Sequence, residues 1–292
     1  MPRSDFLQIP REANHFCGCV CSFDQSRLVL FGAPYDASAS FRPGARFGPS
    51  AMRRDSWGLE TYSPLLDRDL EDACVSDLGD LELPQGPAPR VLDQVQAMAG
   101  AIIRTGKIPV MIGGDHSLTL GAIRAALEAY PQLHIIHLDA HTDLREDYLG
   151  HAYSHASVIR RCHDLVGDGR IHAYGIRSGL KAEFDFARQH LDFHPFSLEA
   201  LADLATSLKD QPVYITLDLD ILDPSILPGT GTPEPGGIGF HELLSALAST
   251  ASLRVIGADL MELSPPLDPS GASTAVACKI LREWLLLMAF PS

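Results

Sequence analysis

The stretch Leu133-His134-Ile135-Ile136-His137-Leu138-Asp139-Ala140-His141-Thr142-Asp143 decides the reading of this chain: a strand-like apolar run ends in three potential metal ligands at alternate positions. Residues two apart on an extended segment point the same way, so Asp139, His141 and Asp143 can converge on one spot as the strand ends. A second stretch repeats the pattern, with Val213 to Leu217 followed by Asp218-Leu219-Asp220. Asp218 and Asp220 can face the same spot.

Working outward, short β-rich runs alternate with longer helix-compatible ones. Strands are predicted at Arg27 to Gly32, Ile108 to Ile112, Leu133 to Leu138, Arg170 to Tyr174, Val213 to Leu217 and Arg254 to Ala258. Helices are predicted at Val91 to Thr105, Leu118 to Ala129, Leu198 to Leu208, Phe240 to Ser249 and Ala272 to Leu287. This alternation is the signature of an α/β fold on a parallel sheet. The Pro- and Gly-rich segment from Leu222 to Gly239 is too long for a simple connection and reads as a functional loop.

The polar residues cluster after the strands. His116 follows one, the Asp139 group the next, the Asp218 pair another, and Asp259 with Glu262 the last. Open parallel sheets bind ligands beyond the carboxyl ends of their strands. A lone Asp after a strand is commonly a cap or turn residue, so Asp115 and Asp223 are open to either reading. His134, His137, His172 and His194 read as core or surface histidines. For the group that bland explanation fails, because four converging carboxylates repel one another and lose hydration unless cations compensate. His116, Asp139, His141, Asp143, Asp218 and Asp220 suffice for two ions if some carboxylates bridge. Their oxygen-rich donor set favours Mn²⁺ over a thiolate zinc site, with Fe, Co or Ni remaining compatible. Such a pair holds a bridging water and makes hydroxide available at neutral pH.

Composition bounds the alternatives. A chain of 292 residues, 46% hydrophobic, fits one domain with a full core. No apolar run is long enough to span a bilayer, and the first dozen residues lack signal-peptide features, so a cytoplasmic protein is expected. The net charge of −14 disfavours nucleic-acid binding and suits a cationic ligand. Cys17, Cys19 and Cys21 alternate while Cys74, Cys162 and Cys278 are scattered; all are expected as free thiols, since the spacing matches no common zinc module. There is no Walker or Gly-x-Gly-x-x-Gly motif and no Gly-x-Ser-x-Gly elbow. Gly113 and Gly114 read as a tight turn that aims His116. Water, not a side chain, is the expected nucleophile.

At this point the chain resembles the ureohydrolases, the family of arginase, agmatinase and related guanidino-acid hydrolases. The resemblance rests on Gly113-Gly114-Asp115-His116-Ser117, Asp139-Ala140-His141-Thr142-Asp143 and Asp218-Leu219-Asp220-Ile221-Leu222-Asp223-Pro224, and it covers nearly the whole chain. Arg42-Pro43-Gly44-Ala45-Arg46-Phe47-Gly48-Pro49 and Gly229-Thr230-Gly231-Thr232-Pro233 support it. It implies a three-layer α-β-α domain over residues 1–292, with 1–26 as an N-terminal extension packed on it. It places two Mn²⁺ ions on the six ligands. His155 would shuttle a proton to the departing amine, although Ala156 stands where the family often has Gly. Glu262 would grip the substrate guanidinium, and Thr232 would line the site. A homo-oligomer, trimer or hexamer, is also implied.

The loop Leu144 to His151, the stretch Gly175-Ile176-Arg177-Ser178-Gly179, Thr232-Pro233-Glu234-Pro235-Gly236-Gly237 and Leu66-Asp67-Arg68-Asp69-Leu70 resemble bacterial agmatinases rather than arginases. The expected reaction is therefore hydrolysis of agmatine to putrescine and urea, serving polyamine synthesis. Acidic groups such as Glu146 or Asp147 in the pocket would favour agmatine's ammonium tail, although a solvated charged loop is the preferred reading of those two residues. Arg145 or Arg177 pointing into the pocket would instead favour 4-guanidinobutyrate or 3-guanidinopropionate. A catalytically silent binding protein is disfavoured by the complete ligand set together with His155 and Glu262.

Overall fold

Alternation along the central strands sorts the apolar side chains into two cores. In β1 (Leu28–Ala33), Leu28 and Leu30 join one core while Val29 and Phe31 join the other, as expected of a strand buried on both faces. The computed structural model describes residues 14–84, 86 and 88–291. Its chain continues through helix α1 (Gly48–Ser56), a small hairpin of β2 (Tyr62–Ser63) and β3 (Arg68–Asp69), and β4 (Ser76–Asp80). Next come α2 (Ala88–Arg104), β5 (Ile108–Gly113), α3 (Thr119–Ala129), β6 (His134–Leu138), α4 (Val158–Val166) and β7 (Ile171–Tyr174). The remainder is α5 (Lys181–His190), β8 (Asp192–His194), α6 (Leu201–Ser207), β9 (Pro212–Asp218), α7 (Phe240–Ser249), β10 (Arg254–Met261) and α8 (Ala272–Ala289).

Eight strands form one sheet in the order β4-β1-β5-β10-β9-β6-β7-β8, with every pairing parallel. Met52 of α1, Leu201 of α6, Leu243 of α7 and Trp284 of α8 close the first core. Val95 of α2, Ile123 of α3, Ile159 of α4 and Ala187 of α5 close the second. Helices thus cover both faces, giving the three layers. Among the described residues, no helix is long and apolar enough to cross a membrane.

Several elements escape the sequence reading for identifiable reasons. The edge strand β4, Ser76-Asp77-Leu78-Gly79-Asp80, carries two aspartates and a glycine, residues depleted in strands. The other edge, β8, is three residues long. β10 extends to Met261, so Asp259 lies within the strand rather than beyond it; fully buried, it accepts a hydrogen bond from the Tyr214 hydroxyl at 2.8 Å.

The cysteine expectation needs correction. Cys21 and Cys74 form a disulfide, whereas Cys17, Cys19, Cys162 and Cys278 are free and buried. Backbone pairing explains the approach: Val20 bridges Ser76, the Cys21 amide donates to the Val75 carbonyl at 3.1 Å, and the two cysteine Cα atoms sit 5.1 Å apart. Of the expected N-terminal extension, residues 1–13 lie outside the described residues. Phe16, Cys17 and Cys19 are buried in the first core.

Candidate metal centre

Four neighbouring strands, β5, β10, β9 and β6, end on the same edge of the sheet. Asp139 directly follows β6, Asp218 is the last residue of β9, and Asp220 lies in the single 3-10 turn Leu219–Ile221 after it. His116 opens the turn beyond β5, and Glu262 follows β10. The turn before His116 is built by close approach rather than by unusual dihedrals. A Cβ on Gly114 would come within 1.8 Å of the Tyr35 carbonyl oxygen, and neither Gly113 nor Gly114 has positive φ. The chain does bend at Gly114, and close backbone approach is what requires glycine there.

All six candidate ligands come together. His116 Nδ1 lies 3.1 Å from Asp139 Oδ2, 3.2 Å from Asp143 Oδ2 and 3.2 Å from Asp218 Oδ2. His141 Nδ1 lies 3.0 Å from Asp220 Oδ2 and 3.6 Å from Asp139 Oδ1. The two oxygens of Asp139 therefore face two adjacent ligand sets, the position of a bridging carboxylate.

The electrostatics demand positive charge here. With His116 Nε2 donating to the Thr216 hydroxyl at 2.8 Å, a neutral ring would turn the lone pair of its buried Nδ1, which makes no well-formed hydrogen bond, toward three carboxylates. That is repulsive unless a cation sits among them. Burial, followed by the charges of Asp220 and Asp139, pushes the Asp218 carboxyl well above its ordinary range. Burial opposes charge on His116 too, but Asp139, Asp143 and Asp218 outweigh it and hold the imidazole well above its usual value. Burial, reinforced by Asp115, raises Glu262 strongly. Mixed imidazole and carboxylate donors with an orphaned inward nitrogen fit a pair of divalent ions.

Asp143 and Glu262 are two of the non-glycine residues held at positive φ, 51° and 66°. Such backbone costs about 1–3 kcal/mol and persists here because the surroundings fix both side chains. Glu262 Oε1 accepts from the His116 amide at 2.7 Å. The Thr232 hydroxyl donates to Asp220 Oδ2 at 3.2 Å, and the Arg42 guanidinium clamps the same loop through the Thr230 carbonyl at 2.6 Å.

His155 is set by residues that the sequence did not reveal. Ser38 Oγ donates to the buried Asp115 at 2.8 Å, accepts the His155 amide at 3.0 Å and lies 3.1 Å from His155 Nδ1. A hydroxyl already donating to Asp115 must accept from the ring, so this network assigns the proton to Nδ1 and leaves Nε2 as the basic nitrogen. Thr216 and Ser38 escape the sequence reading, since a threonine in a strand or a serine in a loop carries no spacing signal. His137 is a fully buried core histidine, and its Nε2 lies 2.8 Å from Asp139 Oδ2.

A cavity of about 290 Å³ opens over these groups, lined by His116, Asp143, His155, Glu262 and Thr232 at one part and by Arg145 and Glu183 at another. Glu146 and Asp147 do not line it: Glu146 is exposed and pairs with Arg160, and Asp147 caps the Gly150 amide. Both belong to the solvated charged loop that the sequence favours for them, so neither reads the tail. Arg177 is also elsewhere, donating to the carbonyls of Asp220, Ile221 and Glu234 and so tying down the long loop.

Comparison with known proteins agrees with this geometry. The chain is 44% identical over 269 residues to an agmatinase of Bacillus anthracis, covering 91% of this chain and 93% of that one. It is 36% identical over 248 residues to the N(1)-aminopropylagmatine ureohydrolase of Thermococcus kodakarensis, covering 82% and 84%. The crystal structure of the agmatine ureohydrolase of Thermoplasma volcanium superposes with a TM-score of 0.89 at 32% identity, covering 98% and 97%. The profile of the Arginase family matches residues 26–287. The chain therefore belongs to the arginase family, ureohydrolases acting on linear amidines, whose membership implies a binuclear metal site and a guanidino substrate.

Proposed function

We propose that this protein is a dimanganese agmatinase, hydrolysing agmatine and water to putrescine and urea. The observation that carries the reading is Asp139, whose two oxygens face the His116 set and the His141 set separately. His116, Asp143 and Asp218 would hold one ion, His141 and Asp220 the other, with Asp139 shared. When bound, the two ions supply a hydroxide-like nucleophile at neutral pH and stabilise developing negative charge.

The chain's own residues do the rest. Glu262 has Oε1 committed to the His116 amide, leaving Oε2 to accept guanidinium N–H groups in a charge-assisted contact. Thr232 keeps Asp220 oriented. His155 presents Nε2 as the site that carries a proton to the leaving amine, with Ser38 and Asp115 fixing its ring. Departure of the protonated amine and collapse to urea complete a balanced hydrolysis.

The tail is read by the Arg145–Glu183 pair, Nε to Oε1 3.5 Å. A second reading, hydrolysis of 4-guanidinobutyrate or another guanidino acid, draws on Arg145 in the cavity wall. The two partners are unequally fixed. Glu183 is buried, accepts the Leu180 amide, and has Gly179 beside it, where a Cβ would lie 3.0 Å from its Oε2. Arg145 is partly exposed and lies over the Tyr148 ring at 4.4 Å. Glu183 is thus the more firmly fixed partner, which favours an ammonium tail.

Urea release by the Mn²⁺-loaded protein, measured in parallel on agmatine, arginine, 4-guanidinobutyrate and 3-guanidinopropionate, tests this. At least a tenfold higher kcat/KM on agmatine is expected. Preference for either acid would move the assignment to the second reading.

A further inference from the structure

Away from the cavity, α4 and α5 end beside each other, and their last turns bring two imidazoles onto one carboxylate. His163 Nε2 lies 2.8 Å and His190 Nδ1 2.9 Å from the same oxygen, Asp168 Oδ1. We propose that His163, Asp168 and His190 form a second, peripheral site for a borderline divalent cation of the Zn²⁺ class.

The arrangement is built into the backbone. Asp168 stands between Gly167 and Gly169, both in the left-handed region at φ 80° and 69°, which glycine adopts without strain. The Gly167 amide donates to the His163 carbonyl at 2.8 Å and the Gly169 amide to the His190 carbonyl at 3.0 Å. The turn that presents the carboxylate is thus hydrogen-bonded to each histidine that would share the ion. Phe186 packs against both rings, at centroid distances of 5.0 Å from His163 and 4.3 Å from His190. Little ordering entropy remains to be lost on binding.

The chemistry selects the ion. One oxygen and two imidazole nitrogens, all within 4.8 Å of one another, suit zinc, copper or nickel rather than magnesium or calcium. Ligand distances of about 2.0 Å place tetrahedral ligand atoms roughly 3.3 Å apart, a small widening from the hydrogen-bonded spacing. Each imidazole moves its proton to the other ring nitrogen. Asp168 is ionised for the role, its carboxyl held below the usual range by hydrogen bonds from His163 and His190, and its 67% exposed side chain leaves room for water as a fourth ligand. A bound ion would cross-link the C-terminal turns of α4 and α5, the helices whose N-terminal ends lie by His155 and Glu183.

Equilibrium dialysis of the Mn²⁺-loaded protein against Zn²⁺, with both metals counted per chain, tests the site independently of any substrate. The wild type is expected to take up one Zn²⁺ without releasing Mn²⁺ and to melt at a higher temperature with zinc. His190→Ala and the milder Asp168→Asn are expected to bind that zinc at least tenfold more weakly, to lose the zinc-dependent rise in Tm and to keep the zinc-free Tm within a few degrees. Equal zinc uptake by wild type and both variants, or uptake matched by Mn²⁺ release, would overturn the proposal.

Discussion

His137 Nε2 and Asp139 Oδ2 are 2.8 Å apart, two residues along the same face of one chain segment, so a buried imidazole donates to the carboxylate that the two ligand sets share. Outer hydrogen bonds of this kind orient ligands and typically contribute about 10–100-fold in metal affinity. His137→Phe should therefore weaken metal binding by roughly that factor while leaving the fold intact. Chelator competition measures it; an unchanged affinity would show the contact to be mere packing.

The same carboxylate cluster should cost stability when no metal is bound. Asp218 is buried among like charges, and an uncompensated buried charge destabilises a fold. Asp218→Asn is expected to abolish hydrolysis yet raise the melting temperature of the chelator-stripped protein above that of stripped wild type. A lower melting temperature than stripped wild type would contradict this electrostatic account.

Glu183→Gln separates the tail contact from the chemistry. Removing the fixed anion while keeping the Leu180 amide acceptor should raise KM for agmatine about tenfold and leave kcat within about threefold, as expected for loss of uniform binding. An equal fall in kcat for agmatine and for a tail-less guanidine would place Glu183 in the chemical step instead.

Acid sensitivity should arise in part from the amino end of β6. Burial, followed by the charge of neighbouring His172, lowers the His134 imidazole from 6.5 to about 4. The unfolded chain then takes up a proton that the folded chain refuses, so stability is complete above pH 6.5 and falls as pH drops toward 4. His134→Gln should flatten the pH dependence of Tm in this window, and an identical profile would remove His134 as its source.

The metal centre is legible in the sequence because its ligands alternate at the ends of strands whose apolar runs are unmistakable. Asp139, His141 and Asp143 can be placed from periodicity alone. The central strands and the sheet class follow from the same runs, whereas polar β4 and three-residue β8 have none. The proposed tail contact is illegible for a different reason. Glu183 sits 40 residues beyond Asp143, on a helix whose approach to the Leu144–Tyr148 loop depends on tertiary packing, while the acids adjacent in sequence, Glu146 and Asp147, face solvent. The Cys21–Cys74 pairing likewise depends on backbone bridges that no spacing rule reports.

The central claim is that two ions share Asp139 and that hydrolysis needs both. Titrating stripped protein with Mn²⁺ while following bound metal and urea release from agmatine tests it most directly. The account predicts that activity rises until two ions are bound per chain and then stops, with Asp139→Asn failing to hold the pair. Full activity at one ion per chain, or in the stripped protein, would contradict it.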